Sequence, residues 1–196
     1  MADEIPRAAT EVLSFWFGGP GDAHFGAVRA EWFRRDAEFD AAIRARFGDL
    51  HAELAQGGER SWLDRARSSL AYVIVLDQFS RNLYRNDARA FAADPLALDA
   101  ANQSLERGFD RELTFVERPF SYMPFMHSEA LADQDRCVSL FEALASEDPG
   151  TKNVSYALRH REIVARFGRF PHRNQLLGRQ TTPEEEAFLR EPNSSF

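Results

Sequence analysis

Trp62-Leu63-Asp64-Arg65-Ala66-Arg67-Ser68-Ser69-Leu70-Ala71-Tyr72-Val73-Ile74-Val75-Leu76-Asp77-Gln78-Phe79-Ser80-Arg81-Asn82-Leu83-Tyr84 is the stretch on which the fold class turns. Its centre, Leu70 to Leu76, is a purely apolar run and on its own reads equally well as a buried strand. The flanks decide for a helix. Leu63, Ala66, Leu70 and Ile74 make one helical stripe, and Tyr72, Leu76, Phe79 and Leu83 make another. A helix that is apolar on two faces belongs in the middle of a helical assembly.

Working outward, helical spacing recurs on both sides. Thr10 is placed to cap a short helix bearing Val12, Leu13, Phe15, Trp16 and Phe17, which Gly18-Gly19-Pro20-Gly21 breaks. That glycine run lacks the Gly-Lys-Ser/Thr ending of a phosphate loop and reads as a turn. Asp36 caps a long helix with Phe39, Ile43, Phe47, Leu50 and Leu54 at three- and four-residue spacing, stopped by Gly57-Gly58. Asp94 as cap and Pro95 in the first turn start a further helix that ends at Gly108. A short proline-bearing segment (Pro119, Pro124) precedes a helix of about 128–145, with Leu131, Val138, Phe141 and Ala145 facing inward and Ser128 as its cap. Another helix runs from about Lys152 to Phe167, and Thr182-Pro183-Glu184-Glu185 begins a short last one. Strand pairs, hairpin turns and low-complexity linkers are missing. The expectation is one all-α domain over 1–196, either a helical bundle or a tetratricopeptide-like array of antiparallel helix pairs.

Composition narrows the function classes. A net charge of −7 does not favour nucleic acid or anionic lipid, so neither is expected as a partner. Seventeen phenylalanines predict a core of large rings. The acidic start Met1-Ala2-Asp3-Glu4 is no signal peptide, no apolar run is long enough to span a membrane, and one cysteine, Cys137, makes no internal disulfide. A cytoplasmic protein is expected. Cys137 reads as an inert structural thiol. Metal and nucleophile motifs are missing, and no cofactor or metal is expected.

Three segments put polar residues where helix stripes predict apolar ones. In the first, Asp77 continues the Leu70–Ile74 stripe and Arg81 lies one turn on, with Gln78 beside them. The pair either fixes helix register or aims an arginine into a pocket. The second is Pro124-Phe125-Met126-His127-Ser128-Glu129, in which His127 is a potential acid, base or ligand. The third is Arg166-Phe167-Gly168-Arg169-Phe170-Pro171-His172-Arg173-Asn174, inside a stretch (156–180) with six arginines and one acid, Glu162. It is either an anion site or a set of internal ion pairs. His160 shares a stripe with Tyr156, Ile163 and Phe167 and reads as a core histidine.

Jointly, these three segments resemble an uncharacterised bacterial family, a domain of unknown function, from about Val12 to Phe188. The resemblance implies an all-helical fold grouped with tetratricopeptide-like superhelices, and it implies no activity, cofactor or catalytic residue. The closing Glu191-Pro192-Asn193-Ser194-Ser195-Phe196 is similar to that family too.

Three functions follow as expectations. The leading one is a binding module in which Asp77, Gln78, Arg81, His127, Glu129, Arg169, His172, Arg173 and Asn174 supply a pocket for a small anion or a carboxylate-bearing peptide. The second is a hydrolase- or lyase-type enzyme with His127 or His172 as base, Glu129 as acid and Arg81 or Arg173 as anion stabiliser, or with His127, Glu129 and His172 on a metal. The third is a scaffold that lays partner helices in a groove.

Overall fold

The computed structural model describes residues 5–23, 25–150 and 153–195. Met1-Ala2-Asp3-Glu4, Lys152 and Phe196 lie outside them. The regular structure of the described residues is helical, with no strand among them. They group into two compact units, one within 1–85 and 89–124, the other within 86–88 and 125–196.

The first unit holds α1 (Arg7–Phe17), α2 (Ala37–Leu54), α3 (Ala66–Val73), a π-helical turn (Ile74–Phe79), α4 (Ser80–Leu83) and α5 (Asp94–Glu106). α6 (Arg118–His127) begins in it. The chemistry that starts and stops these helices is local. Asp36 accepts from the Glu38 and Phe39 amides and so caps α2, as its position predicts. α1 starts three residues before Thr10. Pro6 precedes its first turn, Thr10 N–H donates to the Pro6 carbonyl, and Thr10 is an interior residue rather than a cap. At the other end of α1, Arg29 donates to the Phe15 and Trp16 carbonyls (2.7 and 3.1 Å) and the Trp32 indole to Trp16 (3.2 Å), which satisfies carbonyls a helix end leaves open. Gly18 follows at φ +82°, where a Cβ would stand 3.2 Å from the Phe25 nitrogen, so the chain can turn there only without a side chain.

α3, the π turn and α4 form the central stretch, and every residue from Ser68 to Leu76 is buried. α1, α2 and α5 pack around it. The large rings meet here. Trp16 is edge-on to Phe79 and Phe120 at 5.6 Å each, Phe15 stacks on Phe39 at 5.1 Å, and Trp32 meets Phe120 at 4.9 Å.

The second unit holds α7 (Leu131–Glu147), α8 (Asn153–Phe167) and α9 (Pro183–Phe188). α7 and α8 pack on each other across a short connection, and Ile163, Val164, Phe170 and Phe188 form a core with Phe167 against it. Thr182 and Glu185 complete the expected capping box of α9.

The structure corrects three expectations in the 118–131 region. The proline-bearing segment is a helix, α6, with Pro124 inside it. Gln134, fully buried, carries its amide to within 3.2, 2.7 and 2.6 Å of the Phe125, Met126 and Ser128 carbonyls and so closes the end of α6. Ser128 is not the cap of α7. Its hydroxyl donates to Asp133 (2.6 Å) and accepts from the Ala130 amide (3.2 Å), Ala130 takes the cap position, and Glu129 therefore precedes the helix. Leu131, expected inward, is 42% exposed, whereas Val138 and Phe141 do face inward, joined by Gln134, Cys137 and Leu144.

Candidate functional site

The first polar segment sits on the π turn. Asp77 is fully buried. Arg81 makes a two-pronged pair with Asp94 (3.0 and 3.1 Å), donates to the Asp77 carbonyl (2.8 Å) and lies 3.4 Å from the Asp77 carboxylate. Burial opposes the charge of Arg81, but Asp77 and then Asp94 outweigh it and hold the guanidinium above its ordinary range. Gln78 donates to Asp77 (2.6 Å) and reaches the Met123 sulfur (3.3 Å). The arginine is thus clamped between two acids, the register-fixing geometry of the two foreseen. Asp94, read from sequence as the cap of α5, instead stands one residue inside the helix, after Ala93, and turns its carboxylate to Arg81. The π turn also leaves the Leu76 carbonyl to the Ser80 hydroxyl (2.6 Å). His51 meets the same hydroxyl at 2.7 Å. Because the Ser80 proton is committed to Leu76, the imidazole N–H donates to Ser80, and this buried Ser–His pair is not an activated nucleophile.

In the second unit most of the basic loop is neutralised from within. Arg179 grips Glu129 with two bonds (2.9 and 2.8 Å), and the Phe170 amide donates to the same carboxylate (2.9 Å). Burial pushes the Glu129 carboxyl up, but Arg179 and the Phe170 amide outweigh that and hold it below its usual range. It is an ionised anchor at neutral pH, which takes it out of the role of general acid. Arg169 pairs with Glu185 (2.6 and 2.8 Å), and Asn174 and the Thr182 amide donate to the same carboxylate (3.2 and 2.8 Å). The Arg169 hydrogen bonds lead in taking the Glu185 carboxyl down to about 2. Arg166 pairs with Glu184 and Arg161 with Asp135. Arg179 and Glu185 were not singled out from sequence, and the only signal for Glu185 was its place in the capping box.

A further group gathers around one ring. Phe170 is fully buried. The Arg173 guanidinium lies 4.6 Å from its centroid, and the His160 and His172 rings are at 5.6 and 5.7 Å. His127 acts electrostatically on His160 together with Arg173 and His172. Among the described residues no three His, Cys, Asp or Glu side chains are grouped to hold a metal, so His127, Glu129 and His172 do not form such a set. Burial pushes the Cys137 thiol up to about 12, the state of an unreactive thiol. No helix of the described residues is long and apolar enough to cross a membrane.

His160 also carries a pH prediction. Its ring nitrogen meets the Tyr156 carbonyl at 2.8 Å, and burial, reinforced by His127, Arg173 and His172 beside it, takes the imidazole from 6.5 down to about 3. The neutral form is the folded form. Its contribution is whole above pH 6.5 and is lost as pH falls from 6.5 toward 3, at up to about 1.4 kcal/mol per pH unit. Urea unfolding at pH 7.0 and 5.5 is expected to show a clear loss at the lower pH, and His160→Leu to flatten that slope. Equal slopes in the two proteins would refute the assignment.

A further open site was not foreseen. α2 and the Asn82–Arg85 strip line a groove of about 490 Å³ in the first unit.

Of the nine candidates, Asp77, Gln78 and Arg81 belong to the first unit, and His127, Glu129, Arg169, His172, Arg173 and Asn174 to the second. The family model described as bacterial protein of unknown function, DUF924, matches residues 12–193. The chain belongs to the DUF924 family. The DUF924 match takes in all three polar segments and the first half of the C-terminal stretch that looked family-like. The chain is also similar to the protein of unknown function ATU0120 from Agrobacterium tumefaciens, at 41% identity over 94% of this chain and 97% of that one, with a TM-score of 0.83. No curated protein matches it.

Proposed function

We propose that this DUF924 protein is a small-anion binding module whose recognition groups are His127, His172 and Arg173. The observation that carries this reading is the gathering of Arg173, His160 and His172 on the Phe170 ring. Arg173 brings a fixed positive charge to this pole, and His172 stands on the same ring. An oxyanion suits such a pole because a guanidinium gives paired N–H donors in a fixed plane and an imidazole gains a proton as the anion arrives. Arg173 is buried, so its interactions are screened less than those of a surface arginine. Phosphate and a carboxylate, including one at a peptide end, offer the same chemistry.

Thermal unfolding with inorganic phosphate, acetate and acetyl-Ala-Ala, each against chloride at equal ionic strength, tests it. At a hundredfold excess over the dissociation constant a ligand adds about 2.7 kcal/mol, or about 5–10 °C for a chain of this length. The shift is expected to be larger at pH 6 than at pH 8 and to vanish in Arg173→Gln. No shift with any of the three, or a shift that Arg173→Gln keeps, contradicts the reading.

A further inference from the structure

We propose that the groove beside α2 is a second binding site, independent of the Phe170 cluster, that takes a carboxylate on a short aliphatic body. Three features of the groove lead there. Its α2 wall is made of Ala37, Ala41 and Ala45, one helical turn apart, with Leu83 across from them. Those alanines span about 12 Å of helix at 1.5 Å per residue. Small side chains leave the volume of about 490 Å³ unfilled, which is within the range of small-molecule sites.

Its charges do not balance. Arg85 pairs with Asp40 through two nitrogens, and Asn82 adds a third bond to that carboxylate (2.7 Å). Asp40 and Arg85 therefore cancel. Arg44, the other cation of the groove, donates to the Leu83 carbonyl and meets no carboxylate among the described residues. One uncompensated cation calls for one negative charge.

Its cation is also held in place. The bond to Leu83 uses one of five guanidinium N–H groups and leaves four for a ligand. A tethered guanidinium loses less freedom on binding than a loose one, and its planar fork fits a carboxylate with two bonds. The alanine and leucine walls then favour an aliphatic body over a polar one.

The test uses the full chain and two probes of that chemistry, hexanoate and acetyl-Ala-Ala-Leu with a free C-terminus, followed by amide chemical shifts in α2. The tripeptide amide, which lacks the charge, is the control. Binding of either acid is expected to shift Ala37, Ala41 and Ala45, and to weaken at least tenfold in Arg44→Gln. Ala41→Leu, an exposed helical position where leucine suits the helix, fills the groove and is expected to abolish binding at unchanged melting temperature. Hexanoate alone would identify a small acid as the ligand class, and the tripeptide alone a peptide end. The proposal is overturned if neither acid shifts α2, if the amide binds as well as the acid, or if Arg44→Gln or Ala41→Leu binds like the native protein. Arg173→Gln leaves this site intact, so the failure of one proposal is separable from the failure of the other.

Discussion

Arg81→Leu is expected to lower the stability of the protein by about 3 kcal/mol, a fall of about 6–12 °C in melting temperature. The cost comes from what the substitution leaves behind. Asp77 is fully buried on the π turn, and Arg81 neutralises it while bonding to its carbonyl and gripping Asp94 with two bonds. Without the arginine two carboxylates face each other, one of them cut off from water, and a buried charge deprived of its partner is far costlier than a pair that never formed. Asp77→Asn is expected to be milder. It keeps the shape and a hydrogen-bonding group, and Asp94 still answers Arg81. Equilibrium unfolding in urea measures both. A loss below about 1 kcal/mol in Arg81→Leu would put the pair in the class of surface ion pairs and refute the register-fixing role.

Phe170→Ala is the second large effect. Deleting a fully buried phenylalanine ring costs about 3–5 kcal/mol through lost transfer energy and the cavity left behind. Phe170 packs with Ile163, Val164 and Phe188 and also supports Arg173, His160 and His172, so the cavity opens beneath these groups. Phe170→Leu separates the two roles. It keeps most of the apolar volume and is expected to cost well under half as much. It removes the ring face that attracts the Arg173 guanidinium, so the phosphate-induced thermal shift is expected to shrink in Phe170→Leu although the fold holds. If Phe170→Leu keeps the full shift, the ring is packing alone.

Sequence patterns reached the elements whose start and stop chemistry is local. Asp36 before α2, Asp94-Pro95 at α5 and the Thr182–Glu185 box at α9 all stand where their side chains bond to amides a few residues away or where proline suits a first turn. The failures have a physical reason as well. The π turn is invisible to periodicity because Ile74–Phe79 is buried on almost every side, and a stretch apolar all round carries no phase from which a shifted register can be read. Pro124 argued for a break, yet Gln134, ten residues further on, closes that helix end from outside, and no local rule anticipates such a donor. Ser128 and Glu129 form a capping pattern on paper, but Asp133 and Arg179 take them for other bonds.

The candidate site was legible in its residue types and not in its pairings. Polar side chains on apolar stripes marked Asp77, Arg81, His127 and the 169–174 loop. Which arginine meets which acid depends on tertiary placement, and Arg179–Glu129 and Arg169–Glu185 consume charges that a count along the chain left open. The α2 groove gave no signal, because alanines at 37, 41 and 45 read as ordinary helix formers.

The most direct measurement is the imidazole nitrogen spectrum of the native protein, titrated with inorganic phosphate at pH 6.5. The His127 and His172 resonances are expected to move together along one binding curve toward the protonated form, and Arg173→Gln to abolish the movement. Histidine spectra that stay fixed at saturating phosphate, or that move identically in Arg173→Gln, would contradict it.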